Sequence, residues 1–221
     1  MSPLVRLLAI ALLLGTALLG FGAAVHPVLA GTAADQLRLI AATPHWRGLH
    51  LVMLAGTGLV IAGIWVRLLL DQSGMPGAVL AALALVALGL GINGLNIAFM
   101  AGSGWHMAML YQHGVAEQMA AVFDVTHPIG LMAARFGNFL VALGALTLGW
   151  AEWQDGSRPR WLAALAWLAA AGGIVGVLFF DEASRHALAA VALLSGWQVA
   201  TGLHALIGTR YTLRQAAAFT P

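Results

Sequence analysis

Residues 102 to 138 hold His106, His113, Glu117, Asp124, His127, Arg135 and Asn138, in a chain of which only 8% is charged. Imidazoles beside carboxylates are the usual ligands of transition metals. At about 100° per residue, a helix over 105–124 gathers His106, His113, Glu117 and Asp124 into one stripe. Met107, Tyr111, Val115, Met119 and Val122 then gather on the opposite side, as in an amphipathic helix lying in a membrane interface. Such a stripe is either a solvated polar face or part of a metal site. His106 and His113 lie about 10.5 Å apart along the axis, too far to share one ion with bonds near 2 Å. His113 and Glu117, four residues apart, can share one. A third ligand must come from elsewhere, with His127, His50 and His26 the candidates. The expected metal set is therefore His113, Glu117 and His127.

Arg135 falls inside an apolar stretch, where a guanidinium costs several kcal/mol unless it is paired, snorkels or faces water. Asn138 follows within a turn, and Asn93 and Asn96 supply amides from another stretch. Arg135, Asn138, Asn93 and Asn96 form the expected binding set for an anionic group. The other reading of Arg135 is a structural ion pair or a side chain snorkelling to the outer surface. His50 is the histidine set furthest into an apolar segment of its half of the chain. With His127 it suggests a cofactor site in which the two imidazoles ligate one haem b and Arg135 takes a propionate. A two-haem arrangement fails, because His204 has no second histidine at its level. The expected cofactor is thus a metal ion or a single haem b.

These groups sit in a chain that is 61% hydrophobic, with mean hydropathy +0.90. Soluble domains carry about a quarter charged residues, so most of this surface must meet lipid. All ten basic residues are Arg, which removes lysine Schiff-base chemistry. No Cys is present, which removes disulfides, thiolate metal sites and thiolate-held iron–sulfur clusters. Net charge is only +2, with the arginines scattered at segment ends. That is a topology signal and no footprint for nucleic acid.

Six segments are long enough to span a bilayer, at about 20 residues each: 4–25, 49–70, 78–101, 129–150, 161–180 and 187–207. The first shares features with a cleaved signal peptide, but its apolar run exceeds the usual length, and retention is expected. With the N-terminus inside, Arg6, Arg67, Arg158, Arg160, Arg210 and Arg214 fall inside and Arg38, Arg47 and Arg185 outside. This arginine bias gives an N-in, C-in orientation in the cytoplasmic membrane. Seven of the eight histidines then lie at the outer, periplasmic side. Thr43-Pro44 and His127-Pro128 read as helix starts, and Thr32 as the cap of a short interfacial helix over 33–42. Glycines and loops at 58–76 echo those at 144–159, as duplicated hairpins formed by spans two–three and four–five would.

The expected fold is one all-α membrane bundle of six spans with one or two outer interfacial helices. The expected function is metal or haem binding near the outer face, in redox or metal handling. Two alternatives stand beside it: a transporter or lipid-handling protein for an anionic small molecule, and a non-catalytic subunit of a larger complex. The expected partners are the bilayer and a membrane protein or second copy of the chain. No pattern names a reaction.

Overall fold

The protein is described here by a computed structural model covering residues 2–71, 73–155, 158–179 and 185–218, with backbone alone at 185–188 and 208–218. Its helices are α1 (Pro3–Val25), α2 (Ala33–Ala42), α3 (Trp46–Gly63), α4 (Val66–Leu69), α5 (Pro76–Phe99), α6 (Trp105–Gln112), α7 (Ala116–Gln154), α8 (Arg160–Phe179) and α9 (Arg185–Ala218). No strand occurs among the described residues. Six helical stretches are long and apolar enough to cross a membrane, α3 and α4 counting as one. Consecutive spans pack against each other and α9 returns to α1, closing a ring.

Glycine sets two of these contacts. A Cβ on Gly15 of α1 would lie 2.7 Å from the Gly56 carbonyl oxygen of α3, and one on Gly56 would lie 2.9 Å from that of Gly15. Gly89 of α5 and Gly137 of α7 face each other's carbonyls in the same way. In lipid no hydrophobic force draws helices together, so close backbone approach at small residues supplies the packing. These contacts pair spans one and two, then three and four.

Three local expectations need correction. The helix expected over 105–124 is two helices: α6 stops at Gln112, and Gly114 turns the chain at φ +103°. A glycine just past a helix end takes the left-handed conformation that side chains resist. His127-Pro128 does not start a helix, because α7 begins at Ala116 and holds Pro128 in its interior. Proline there removes only one backbone bond, which a packed membrane helix tolerates. Thr43-Pro44 precedes the start of α3, whose cap is His45 at φ 61°.

The short helix α2 matches its expected limits. Thr32 caps it through the Asp35 N–H, and Asp35 returns a bond to the Thr32 N–H. The same hydroxyl and N–H hold the exposed Asp35 carboxyl below the usual carboxylate range. Leu37 and Ile40 of α2 pack with Trp46, Met107 and Phe123. This cap lies over the end of the bundle that carries most of the histidines. Between α5 and α6 the helix widens into a π-helical segment, Met100–Gly104.

Candidate functional site

A cavity of about 620 Å³ lies inside the ring, lined by α1, α3, α5, α7 and α9 and by the 27–31 loop and Gln36 of α2. Three histidines line it: His26, His50 and His127. On α7 the lining positions are His127, Leu131, Ala134, Asn138 and Val141, one helical face at alternating steps of four and three. On α3 they are His50 and Met53.

The centre of the site is a pair of imidazoles. His26 follows directly after α1, and its Nε2 is 3.2 Å from the Nε2 of His50. His50 is 2% exposed, and its Nδ1 lies 2.9 Å from the Trp46 carbonyl oxygen. A carbonyl only accepts, so His50 Nδ1 carries the proton and its Nε2 presents a lone pair. Trp46 is itself fixed, donating Nε1–H to the Met100 carbonyl at 3.0 Å. That carbonyl opens the π-helical segment, a distortion often found at functional sites. The Trp46 ring touches both imidazoles, with centroids 4.8 Å from His26 and 4.5 Å from His50.

His26 is held neutral. Burial first, and the neighbouring His50 second, push its pKa from the ordinary histidine value of 6.5 down to about 4, against a smaller upward pull from the Pro27 backbone. With His50 Nε2 presenting a lone pair, His26 Nε2 meets it at 3.2 Å either as an N–H donor or as a second lone pair that a cation can bridge. The surrounding lining is also rich in acceptors. Asn96 Oδ1 and Gln36 Oε1 are buried without a hydrogen-bond partner. Asn93 Nδ2 donates to Asn138 Oδ1 at 3.0 Å, and Thr16 Oγ1 donates to Gln198 Oε1 at 3.2 Å.

The sequence-predicted residues divide sharply. His50, His127, Asn93, Asn96 and Asn138 share the cavity wall. The direct partner of His50 is His26, while His127 stacks on Phe123 with centroids 4.6 Å apart. Arg135 is half-buried on a neighbouring face of α7 and does not line the cavity. His113 and Glu117 are both exposed and stand on opposite sides of the Gly114 turn, with Glu117 in the first turn of α7. His106 and Asp124 are exposed as well. Among the described residues no three His, Cys, Asp or Glu side chains converge on one point, so the expected His113–Glu117–His127 group does not form there. Asp181 and Glu182, the candidate counter-ions of Arg135, lie outside the described residues.

The imidazole pair also discriminates between cofactors. Two axial histidines on one haem need Nε2 atoms about 4 Å apart across the iron, with a flat macrocycle between them. His26 and His50 are closer than that, and their rings meet edge-on at 75°. That pair does not fit a haem; it does fit one small cation.

A second polar centre lies near the other end of the bundle, where charge patterning alone suggested only topology signals. Arg67 Nη2 of α4 is 2.7 Å from Glu152 Oε1 of α7, with side chains 4% and 1% exposed. Neither Glu152 oxygen makes an aligned hydrogen bond, so the contact is one of charges rather than of direction. Arg158 Nε donates to Asp155 Oδ2 at 2.8 Å, and its Nη2 donates to the Leu70 carbonyl. This cluster ties the end of α4 to the connection between α7 and α8.

Fold and site together define a polytopic all-α membrane protein with an imidazole-bearing cavity inside its helix ring. Compared with protein-family models, curated proteins and solved structures, the chain gives no match.

Proposed function

We propose that this membrane protein binds a metal ion in its central cavity through His26 and His50 and serves in metal handling. One observation carries the reading: ring nitrogens of the buried His50 and the half-buried His26 stand 3.2 Å apart, His50 with its proton already committed to the Trp46 carbonyl. Bonds of about 2.0 Å to both nitrogens close that distance at a ligand–metal–ligand angle of about 106°, suited to trigonal or tetrahedral coordination. Trp46 then acts as the outer support that fixes tautomer and ring orientation, as carbonyl partners do for metal-bound histidine. The acceptor atoms of the wall favour a cationic guest over an anionic one. Arg135, the group that would favour an anion, does not line the cavity.

The direct test is metal titration of the protein purified in detergent, with thermal unfolding as the check on folding. One equivalent is expected to bind, and His50→Ala is expected to weaken it by at least about 100-fold, because losing one of two imidazoles removes a ligand and not only its support. A wild-type protein that stays metal-free against every transition metal offered ends the proposal.

Orientation belongs to the same reading. Arginine bias puts the histidine end outside the cytoplasmic membrane and the Arg67–Glu152 end inside. Because the chain has no cysteine, a single cysteine at exposed Ser103 reports the side directly. Labelling of intact cells by an impermeant maleimide is expected, and protection until lysis reverses the assignment.

A further inference from the structure

Given the imidazole site proposed above, on which this step rests, we infer that its ion is monovalent and soft, copper(I), with the Met53 thioether as third ligand. Met53 follows His50 by three residues, which puts both on one face of α3, and both line the cavity. The Met53 sulfur packs on Gly22 of α1, where an added Cβ would stand 2.8 Å from it. Gly22 is one turn, about 6 Å of rise, before His26, and His26, His50 and Met53 all line the same cavity wall. A side chain at position 22 would displace the sulfur; glycine admits it.

Charge decides the valence. Among the described residues no Asp or Glu lines the cavity, and imidazole and thioether ligands bring no charge of their own. A cation bound there keeps its full charge inside a low-dielectric bundle. The Born cost of desolvation grows as the square of the charge, and even a unit charge faces an effective penalty of several kcal/mol in protein interiors. A divalent ion therefore pays about four times the electrostatic cost of a monovalent one. Zinc sites usually offset it with thiolates or a carboxylate, and neither is available here. Softness points the same way, since a thioether with imidazoles is a donor set that selects copper(I).

The experiment compares copper(I), supplied under reductant from a competing chelator, with silver(I) and zinc(II), on wild type and on Met53→Leu. The wild type is expected to bind one equivalent of copper(I), and of silver(I), at least about 10-fold more tightly than zinc(II). Met53→Leu, close in volume, is expected to lose at least about 10-fold for copper(I) and to leave zinc(II) unchanged. X-ray absorption of the wild-type copper(I) form is expected to show one sulfur at about 2.3 Å beside nitrogen, which reads the ligand even if the variant folds poorly. Zinc(II) binding as tight as copper(I), or a nitrogen-only shell, overturns the copper(I) assignment while leaving the imidazole site standing. Failure of all three ions to bind folded wild type overturns both.

Discussion

The two buried polar centres handle charge in opposite ways. At the histidine end, ring nitrogens, amide oxygens and a thioether surround about 620 Å³ of space, with no acid or arginine on the wall among the described residues. Near the other end, Arg67 meets Glu152 and Arg158 meets Asp155 within tight packing. That region adjoins a close-packed core that includes Val60, Ile64, Val66, Leu148 and Trp197. One centre offers lone pairs and room; the other sets opposite charges against each other.

The comparison breaks most visibly through the ion pair. Glu152→Ala leaves Arg67 buried and uncompensated, and is expected to cost about 3–5 kcal/mol of stability. Metal affinity of the folded fraction should be unchanged. Thermal unfolding beside metal titration reads both. A large loss of affinity without a loss of stability would mean that the two centres are coupled and not distinct.

A smaller effect comes from pH. The folded chain keeps His26 neutral down to about pH 4, whereas the unfolded chain takes up that proton near 6.5. The unfolded state therefore binds more protons in between. Stability from this residue is complete above about pH 6.5 and is lost as pH falls toward 4. Subtracting the melting profile of His26→Asn from that of wild type isolates the term. A difference that stays flat from pH 7 to 4 would show that His26 is not buried as described.

The smallest effect sharpens the border of the site. His113→Ala and Glu117→Ala change exposed side chains on either side of a turn, so each should shift stability by no more than about 0.5 kcal/mol. Neither should alter metal binding. A loss of binding in either variant would move the site from the cavity to the surface helix.

What pattern reading missed has identifiable causes. Exposed His106, His113, Glu117 and Asp124 drew attention because they are dense in sequence, yet density on a polar face is what solvation produces. His26 stands 24 positions before its partner, and no local period links the two. Arg67 looked like a boundary residue, and its burial to 3% follows only from Glu152 arriving on another helix. One available signal was passed over: Gly114, directly after His113, marks a helix end and argues against a stripe continuous through Glu117.

Sequence alone determined the solvent, the six spans, the α2 cap and the chemistry that no lysine or cysteine can perform. Each follows from composition or from contacts within a few residues, where chain connectivity fixes geometry. The tertiary structure decided which imidazoles meet, that Arg135 stays off the cavity wall, and that Arg67 is paired inside. Those outcomes depend on helix order and rotation about the ring, set by backbone approach at Gly15, Gly56, Gly89 and Gly137. Apolar helices of similar composition carry little periodic signal of such rotation, because lipid and neighbouring helix are nearly equivalent solvents for leucine.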